Sequence, residues 1–85
     1  MWYVYVLENI SNKRLYIGYT NDLKRRFAEH NQGRGGAYTK KMGEFKLIFY
    51  ETYMEKSDAA KGEVFYKSGY GREVLKGKLS NYLKI

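Results

Sequence analysis

The fold is decided by residues 3–19, which read YVYVLENISNKRLYIGY. At each end of this stretch, aromatic residues alternate with branched aliphatic ones, and such alternation is typical of β-strands. The five residues between the two runs, 9–13, carry the Asn and Ser residues that favour turns. The stretch therefore predicts an antiparallel hairpin with strands at residues 2–8 and 14–19. Tyr3, Tyr5 and Leu7 share one face of the first strand.

Downstream of the hairpin, the sequence predicts one further strand and three helices. Thr20, Asn21 and Asp22 are N-cap candidates for a basic helix that ends near residue 31. A glycine-rich basic loop at 32–36 and a short helical turn at 38–41 follow. We then expect a strand at 45–53, with Leu47 and Phe49 on one face. A helix at 57–67 capped by Ser57 and a last helix at 71–84 follow. The order ββ-α-β-α-α predicts a single α/β (α+β) domain over residues 1–85, with a small three-stranded antiparallel sheet flanked by helices.

Composition excludes several classes of site. The 85 residues include no cysteine and one histidine. A disulfide framework and a thiolate metal site are therefore excluded, and a zinc centre with three or four ligands is disfavoured. The apolar run at residues 2–7 is too short to span a bilayer. We expect a cytoplasmic protein that is not embedded in a membrane.

The positive charge is concentrated in one part of the chain. Of the net charge of +7, a surplus of six falls between residues 13 and 46. This pattern is typical of proteins that bind a polyanion. DNA is the partner we expect, with RNA as the alternative; a basic protein with no polyanionic partner is the competing interpretation. The expected backbone-binding residues are Lys13, Arg14, Lys24, Arg25, Arg34, Lys40 and Lys41.

Two polar residues of the first helix lie beside its apolar stripe. Leu23 and Phe27 form the inward face, and helical periodicity places Arg26 and His30 at its edge. A guanidinium in that position is preorganised to bind a phosphate. For His30, packing at the edge of the core is an equally good interpretation.

The helix predicted at 57–67 places Ala59, Glu63 and Tyr66 in one column. A single carboxylate such as Glu63 suits Mg²⁺, which binds proteins through one or two carboxylates and retains waters and substrate phosphate as its other ligands. Gly62 costs the helix about 1 kcal/mol relative to alanine. We expect that Gly62 leaves room beside the carboxylate for a metal and a phosphate, or that its presence is incidental.

Several of these motifs together resemble those of the GIY-YIG nuclease superfamily, in particular its small stand-alone members. Residues 3–5, Tyr-Val-Tyr, stand at the first motif, and residues 16–18, Tyr-Ile-Gly, match the second. The run at 20–31 resembles the first helix of the family, with its arginine at Arg26. Residues 46–51 resemble the third strand, and residues 57–63 resemble the part of the next helix that carries the metal-binding Glu63. The first motif lacks its glycine. Asn81 is the one late asparagine of the kind many members carry near the metal.

The resemblance implies roles for these residues. Glu63 would bind one Mg²⁺ or Mn²⁺, and Arg26 would stabilise the charge of the phosphoryl transition state. Tyr5 or Tyr16 would position or deprotonate the attacking water, and His30 would lie close to the reaction centre. A free tyrosine is a poor base at neutral pH, so its phenolate would need help. The implied function is a metal-dependent endonuclease that acts on DNA, structure-directed or with low sequence specificity.

Two other function classes compete with the nuclease. The first is a nucleic-acid-binding or adaptor module that keeps the fold with little or no activity. The second is a protein-interaction domain, for which exposed rings at Tyr66 and Tyr70 would be the best indication. A protein partner or a homodimer is compatible with the sequence, but no motif identifies an interface.

Overall fold

A computed structural model describes residues 1–31 and 44–85. Over these residues the chain forms three strands and four helices. The strands are β1 Trp2–Asn9, β2 Leu15–Thr20 and β3 Phe45–Tyr53. The helices are α1 Leu23–Asn31, α2 Lys56–Lys67, α3 Gly69–Lys78 and α4 Ser80–Leu83. The predicted loop at 32–36, the helical turn at 38–41, and Arg34, Lys40 and Lys41 lie outside the described residues.

The sheet has β1 at its centre, in the order β2-β1-β3, and both pairings are antiparallel. Tyr5 lies opposite Gly18 on β2 and opposite Tyr50 on β3. The predicted hairpin and three-stranded antiparallel sheet are confirmed. Because β2 is an edge strand, helices packed on the two faces of the sheet can meet around it.

Helices cover both faces of the sheet, which gives the fold three layers. On one face, Val4 and Val6 pack with α2 and α3 through buried side chains that include Ala59, Tyr66 and Leu75. On the other face, Tyr5, Leu7 and Phe45 pack with Leu23 and Phe27 of α1. The predicted alternation along β1 and β2 is confirmed. Tyr5 and Tyr16 therefore face α1, whereas Glu63 belongs to the helix on the opposite face.

A β-bulge changes the face assignments that we predicted for β3. Val6 pairs with Phe49 but Leu7 pairs with Leu47, so Ile48 is an extra residue on β3. The bulge reverses the alternation of the strand. Leu47 consequently packs with Tyr5 and Leu7, and Phe49 packs on the opposite face. The prediction that Leu47 and Phe49 share a face was wrong.

Helix α2 packs closely against the sheet at Gly62. A Cβ atom at this position would lie 2.8 Å from Val4 Cγ2 and 3.1 Å from the Tyr53 hydroxyl. Gly62 therefore allows the helix to approach the strands, and it does not leave the space for a metal and a phosphate that we expected. The same face holds Tyr66, which is buried rather than exposed as predicted. Its hydroxyl and that of Tyr53 each donate a 2.8 Å hydrogen bond to the Glu51 carboxylate.

Burial and this carboxylate together raise the pKa values of the two tyrosines. Burial, together with the hydrogen bond to Glu51, raises the pKa of Tyr53 to about 12 and raises the pKa of Tyr66 further. Both hydroxyls therefore stay protonated and remain donors to Glu51 at neutral pH. The hydrogen bond from Tyr66 to Glu51 joins α2 to β3, and Tyr53 binds the same carboxylate from within β3.

The ends of the C-terminal helices differ from the prediction. Helix α2 begins at Lys56 after Glu55, so Ser57 is not its N-cap. The predicted helix at 71–84 is two helices, since the chain departs from helical geometry at Leu79. Ser68 separates α2 from α3, and its side chain accepts a hydrogen bond from the Gly71 backbone N–H. None of the described helices combines the length and apolar character that crossing a bilayer requires.

Candidate active site

A cavity of about 260 Å³ opens at the β2 edge of the sheet. It lies where β1, β2, α1 and α2 meet, so it receives side chains from both faces. Its lining residues are Tyr5, Tyr16, Ile17, Gly18, Tyr19, Arg26, His30, Glu63 and Lys67. All five residues predicted as catalytic or metal-binding are in this set. The described fold thus brings together four stretches of chain that are separate in sequence.

The Tyr5 hydroxyl is the point at which the polar groups from α1 converge. Arg26 donates to it from Nε over 3.3 Å, and His30 Nε2 lies 3.2 Å from it. Tyr5 itself is buried, with 4% of its surface exposed. Arg26 and His30 are four residues apart on α1, so one turn of helix presents both to the same oxygen.

Gly18 lets the Tyr5 ring lie across the neighbouring strand. It stands directly opposite Tyr5 in the β1–β2 pairing. A Cβ atom at Gly18 would lie 2.7 Å from Tyr5 Cζ, closer than two carbon atoms approach without displacement. The glycine of the second motif therefore has a steric reason: any side chain there would push the Tyr5 hydroxyl away from Arg26 and His30.

His30 is held as a neutral imidazole near neutral pH. Burial lowers its pKa below the ordinary value of 6.5, and the adjacent Arg26 charge lowers it further, against a smaller opposing effect of Glu29. Nδ1 is buried and has no hydrogen-bond partner among the described residues. When Nδ1 carries the proton, Nε2 can accept the proton of Tyr5 while Tyr5 accepts from Arg26. The site then contains a connected path from the cation through the phenol to the imidazole.

Arg26 remains charged and half-exposed at the cavity. Its hydrogen bond to Tyr5, followed by smaller effects of Glu29, raises the pKa of Arg26 despite partial burial. Nη1 also pairs with Glu29 Oε1 at 3.4 Å, one turn along the helix. Asp22 caps the N-terminus of helix α1, since its Oδ1 accepts a 3.0 Å hydrogen bond from the Arg25 backbone N–H. With Nε on Tyr5, the rest of the guanidinium can bind an anion that enters the cavity.

Tyr16 lies on the same side of the sheet as Tyr5 and packs edge-on against Phe45, with ring centroids 5.0 Å apart. Its hydroxyl oxygen is shielded from solvent. The ring nevertheless lines the cavity that contains Arg26 and Glu63. Both motif tyrosines are thus fixed by packing.

Glu63 approaches the cavity from the opposite face of the sheet. Its side chain is 23% exposed, and Oε2 lies 3.4 Å from Lys67 Nζ on the next turn of α2. The described residues contain no cluster of three His, Cys, Asp or Glu side chains that could enclose a metal. A lone carboxylate at a polar cavity fits a hydrated Mg²⁺ or Mn²⁺ that shares the phosphate of a substrate, but not an ion enclosed by protein ligands. Glu63 is the residue that would hold such an ion, and Lys67 would have to move aside.

The predicted backbone-binding residues that are described do not form one cluster. Lys13 is exposed in the hairpin turn, and Arg25 pairs with Asp22 at 3.9 Å. Lys24 lines a different cleft, between α1 and the β3 side of the sheet. Arg14 lies in a groove next to the cavity. Asn81 is exposed on α4 and is not among the residues that line the cavity.

One charged residue that lines the cavity received no role from the sequence. Lys67 lies four residues after Glu63, a spacing that places two side chains on the same side of a helix. This spacing was the available signal for the Lys67–Glu63 contact. The sequence did not show that the pair would face the two tyrosines, because that requires α2 to reach around the β2 edge.

Comparison with known proteins identifies the family. The GIY-YIG catalytic domain matches residues 1–77. UPF0213 proteins of Streptococcus pyogenes serotypes M5 and M3 are each 45% identical to the chain over 65 residues, which is 76% of this chain and 70% of each relative. The solution NMR structure of a UPF0213 protein from Bacillus halodurans is 34% identical, covers 91% of this chain and 84% of its own, and has a TM-score of 0.54. This domain has a nuclease-type fold, which implies nucleic-acid binding. The chain therefore belongs to the GIY-YIG family and is similar to small stand-alone UPF0213 proteins.

Proposed function

We propose that the protein is a metal-dependent endonuclease that hydrolyses DNA phosphodiester bonds, structure-directed or with low sequence specificity. The observation that carries the proposal is the single cavity lined by Tyr5, Tyr16, Arg26, His30 and Glu63. A module that only binds nucleic acid needs cations, but it does not need a carboxylate and a phenol–imidazole pair beside them. The cavity therefore favours hydrolysis over simple binding.

In the proposed reaction, Arg26 binds the scissile phosphate and Tyr5 acts on the attacking water. Tyr5 passes its proton to His30 Nε2, and its oxygen then takes a proton from the water. The resulting hydroxide attacks phosphorus, the bond to the 3′ oxygen breaks, and the leaving oxygen takes a proton from solvent. The neutral state of His30 supports this assignment, because a protonated imidazole could not accept the Tyr5 proton.

Arg26 and Glu63 would both help to stabilise the negative charge that develops in the reaction, Arg26 directly and Glu63 through a metal ion. The guanidinium stabilises the added negative charge on the phosphoryl oxygens. Glu63 would hold one Mg²⁺ or Mn²⁺, which when bound supplies Lewis-acid stabilisation of the phosphate and the leaving oxygen. Tyr16, packed on Phe45, would keep the substrate in line with Tyr5.

One observation favours the competing function, a nucleic-acid-binding module without activity. The Glu63 carboxylate already has a cation partner in Lys67. If that ion pair persists, no metal binds and the cavity only holds a phosphate. Both side chains of the pair have solvent access, however, and such pairs contribute little free energy.

Nicking of supercoiled plasmid with Mg²⁺ or Mn²⁺ tests the proposal. We expect Glu63→Gln to lower the rate by about 100-fold or more, since metal stabilisation of charge contributes several kcal/mol. The matched control is Glu55→Gln, an exposed carboxylate at the start of the same helix. Titration with Mn²⁺ followed by electron paramagnetic resonance provides a readout independent of cleavage. Wild-type protein that binds DNA but neither cleaves it nor takes up Mn²⁺ would establish the binding module instead.

A further inference from the structure

A second groove adjoins the candidate active site along the β2 edge. It has a volume of about 440 Å³ and lies between β2 and α3. Its lining residues are Arg14, Leu15, Tyr16, Arg72 and Lys76. Three of these five are cationic, and none is acidic. We name this surface, defined by these five residues, the α3 groove.

The α3 groove is continuous with the candidate active site. Tyr16 lines both, so the two cavities adjoin at this residue. Lys67 lines the active-site cavity, and its backbone carbonyl accepts a 3.4 Å hydrogen bond from Arg72 Nε. The end of α2 and the first turn of α3 thus extend the cationic surface from one cavity into the next. A chain bound at Arg26 and Glu63 would leave the cavity past Tyr16 and reach Arg72.

Two cations of the groove, Arg72 and Lys76, are available to a ligand. Arg72 and Lys76 are exposed and four residues apart, so they point to the same side of α3. Lys76 Nζ lies 3.7 Å from Glu73 Oε1, but both side chains are largely solvent-exposed, and a pair of this kind is readily exchanged for a phosphate. The Arg72 contact uses only Nε, which leaves the terminal amino groups to fork onto an anion.

We propose that the α3 groove binds the phosphate next to the scissile one on the same DNA strand. The proposal rests on the nuclease function proposed above and adds the path of the strand to it. Arg14, Arg72 and Lys76 contact the phosphate, and Leu15 and Tyr16 pack against the sugar between the two phosphates. The contacts are to the backbone, so the groove positions the strand without reading its sequence.

The occupant follows from charge and continuity. A ligand here must be anionic, since the lining side chains supply cations and no carboxylate. Because the two cavities share Tyr16, a ligand that fills both must also be a continuous chain that passes this residue. A nucleic-acid strand meets both conditions, because its phosphates repeat along a continuous chain. An acidic peptide meets only the first, and it becomes one outcome of the test.

Salt-dependent binding of a fluorescein-labelled single-stranded oligodeoxynucleotide tests the groove. All variants carry Glu63→Gln, so that no cleavage occurs. We expect Arg72→Gln combined with Lys76→Gln to flatten the slope of log affinity against log salt by about one for each lost phosphate contact. Lys78→Gln is the matched control: it removes an exposed charge from α3 at a position two residues on, which faces away from Lys76.

Short ligands locate the second phosphate. A trinucleotide carries one phosphate more than a dinucleotide, and we expect the first to bind more tightly than the second. In the double variant the ratio of trinucleotide affinity to dinucleotide affinity should fall towards one. In Lys78→Gln this ratio should stay unchanged. Equal losses of trinucleotide affinity in the double variant and in the Lys78→Gln control would overturn the proposal. So would an acidic peptide that competes with the trinucleotide at equal charge.

The outcome for the groove is separable from that for the nuclease. If the wild type cleaves DNA but the double variant binds like the control, the groove proposal fails and the nuclease stands. If the wild type does not cleave but the slope still depends on Arg72 and Lys76, the nuclease fails and the strand path stands. Both substituted side chains are exposed, so loss of folding does not confuse the result.

Discussion

The Tyr5 hydroxyl is the atom on which the proposed reaction depends, and removing it is the sharpest test at the scale of one residue. It accepts from Arg26 and lies within hydrogen-bond distance of His30. We expect Tyr5→Phe to lower the rate of DNA cleavage by about 10²- to 10⁴-fold, the usual range for a general acid–base group. The measurement is kcat for plasmid nicking at saturating metal.

The control for Tyr5→Phe is Tyr3→Phe. Tyr3 lies on the same face of β1 and packs edge-on against Tyr50, with ring centroids 6.1 Å apart. Both substitutions keep the ring, so each should retain the fold, with a cost near 1 kcal/mol for the lost hydrogen bonds of Tyr5. Equal activity of the two variants would exclude Tyr5 from the proton path and leave Tyr16 as the tyrosine to examine.

His30 makes the stability of the protein depend on pH in a defined direction. Because burial lowers its pKa in the folded state, the unfolded chain binds a proton in a range where the folded chain does not. Its contribution is therefore fully present above the unfolded pKa of about 6.5 and is lost as the pH falls from there through the folded pKa. Urea unfolding at a series of pH values should show this loss in the wild type.

The matching variant is His30→Gln, which lacks the titrating group but can still bond to Tyr5. We expect the difference in unfolding free energy between wild type and variant to change below pH 6.5 and to stay constant above it. The acid limb of the cleavage rate should follow the same group. Parallel pH profiles for the two proteins would mean that His30 does not titrate in this range.

At the scale of the elements, the position of α2 is set by Gly62, and this predicts opposite effects for two similar substitutions. A Cβ at Gly62 would lie only 2.8 Å from Val4 Cγ2 and would clash with it, whereas Gly77 on α3 has open space where a Cβ would stand. Gly77→Ala should stabilise the protein by about 0.5–1 kcal/mol through helix propensity. Gly62→Ala should destabilise it, since overpacking costs about 1–3 kcal/mol.

The same pair tests whether the seating of α2 matters for function. Glu63 follows Gly62 directly, so a helix lifted from the sheet would move its carboxylate relative to Tyr5 and Arg26. We expect Gly62→Ala to weaken Mn²⁺ binding and cleavage, while Gly77→Ala leaves both unchanged. Thermal unfolding and Mn²⁺ titration of both variants are the measurements. If Gly62→Ala is the more stable of the two, the close contact with Val4 is not present in solution.

The elements that sequence reasoning located correctly are those whose signal is local. Alternation gave β1 and β2 with their faces, and Asp22 begins α1 as a capping residue should. The errors have non-local causes. The bulge at Ile48 is visible only in the pairing with β1, and the role of Gly62 depends on what lies beneath it. Tyr66 was assigned to the surface because its partner, Glu51, lies fifteen residues away on another element.

For the molecule as a whole, the motifs of the family identified the cavity residues, but the sequence could not show how charge would be distributed around them. Counting charges pointed to residues 13–46, whereas the described cations beside the cavity also include Lys67, Arg72 and Lys76 from the C-terminal half. Residues 47–85 carry seven Lys or Arg against five Asp or Glu, a surplus of only two, so a count of charges along the sequence does not single them out. The fold turns their cationic side towards β2, and this arrangement appears only once the helices are packed.

A side-chain hydrogen bond links the C-terminal helix α4 to the central strand β1, and it yields a prediction about global stability. Tyr82 on α4 donates a 2.6 Å hydrogen bond to Glu8, a carboxylate on the central strand that is only 8% exposed. Tyr82→Phe removes this donor and leaves the buried Glu8 carboxylate without that hydrogen bond. We therefore expect Tyr82→Phe to lower the urea midpoint more than Tyr70→Phe, since Tyr70 is 75% exposed. Lys46 lies over the Tyr82 ring, and the phenylalanine preserves that contact.

A double-mutant cycle with Glu8→Gln isolates the Tyr82–Glu8 pair, because the loss of stability caused by Tyr82→Phe should shrink once the carboxylate is gone. An unchanged effect would show that Tyr82 stabilises the fold through its ring alone.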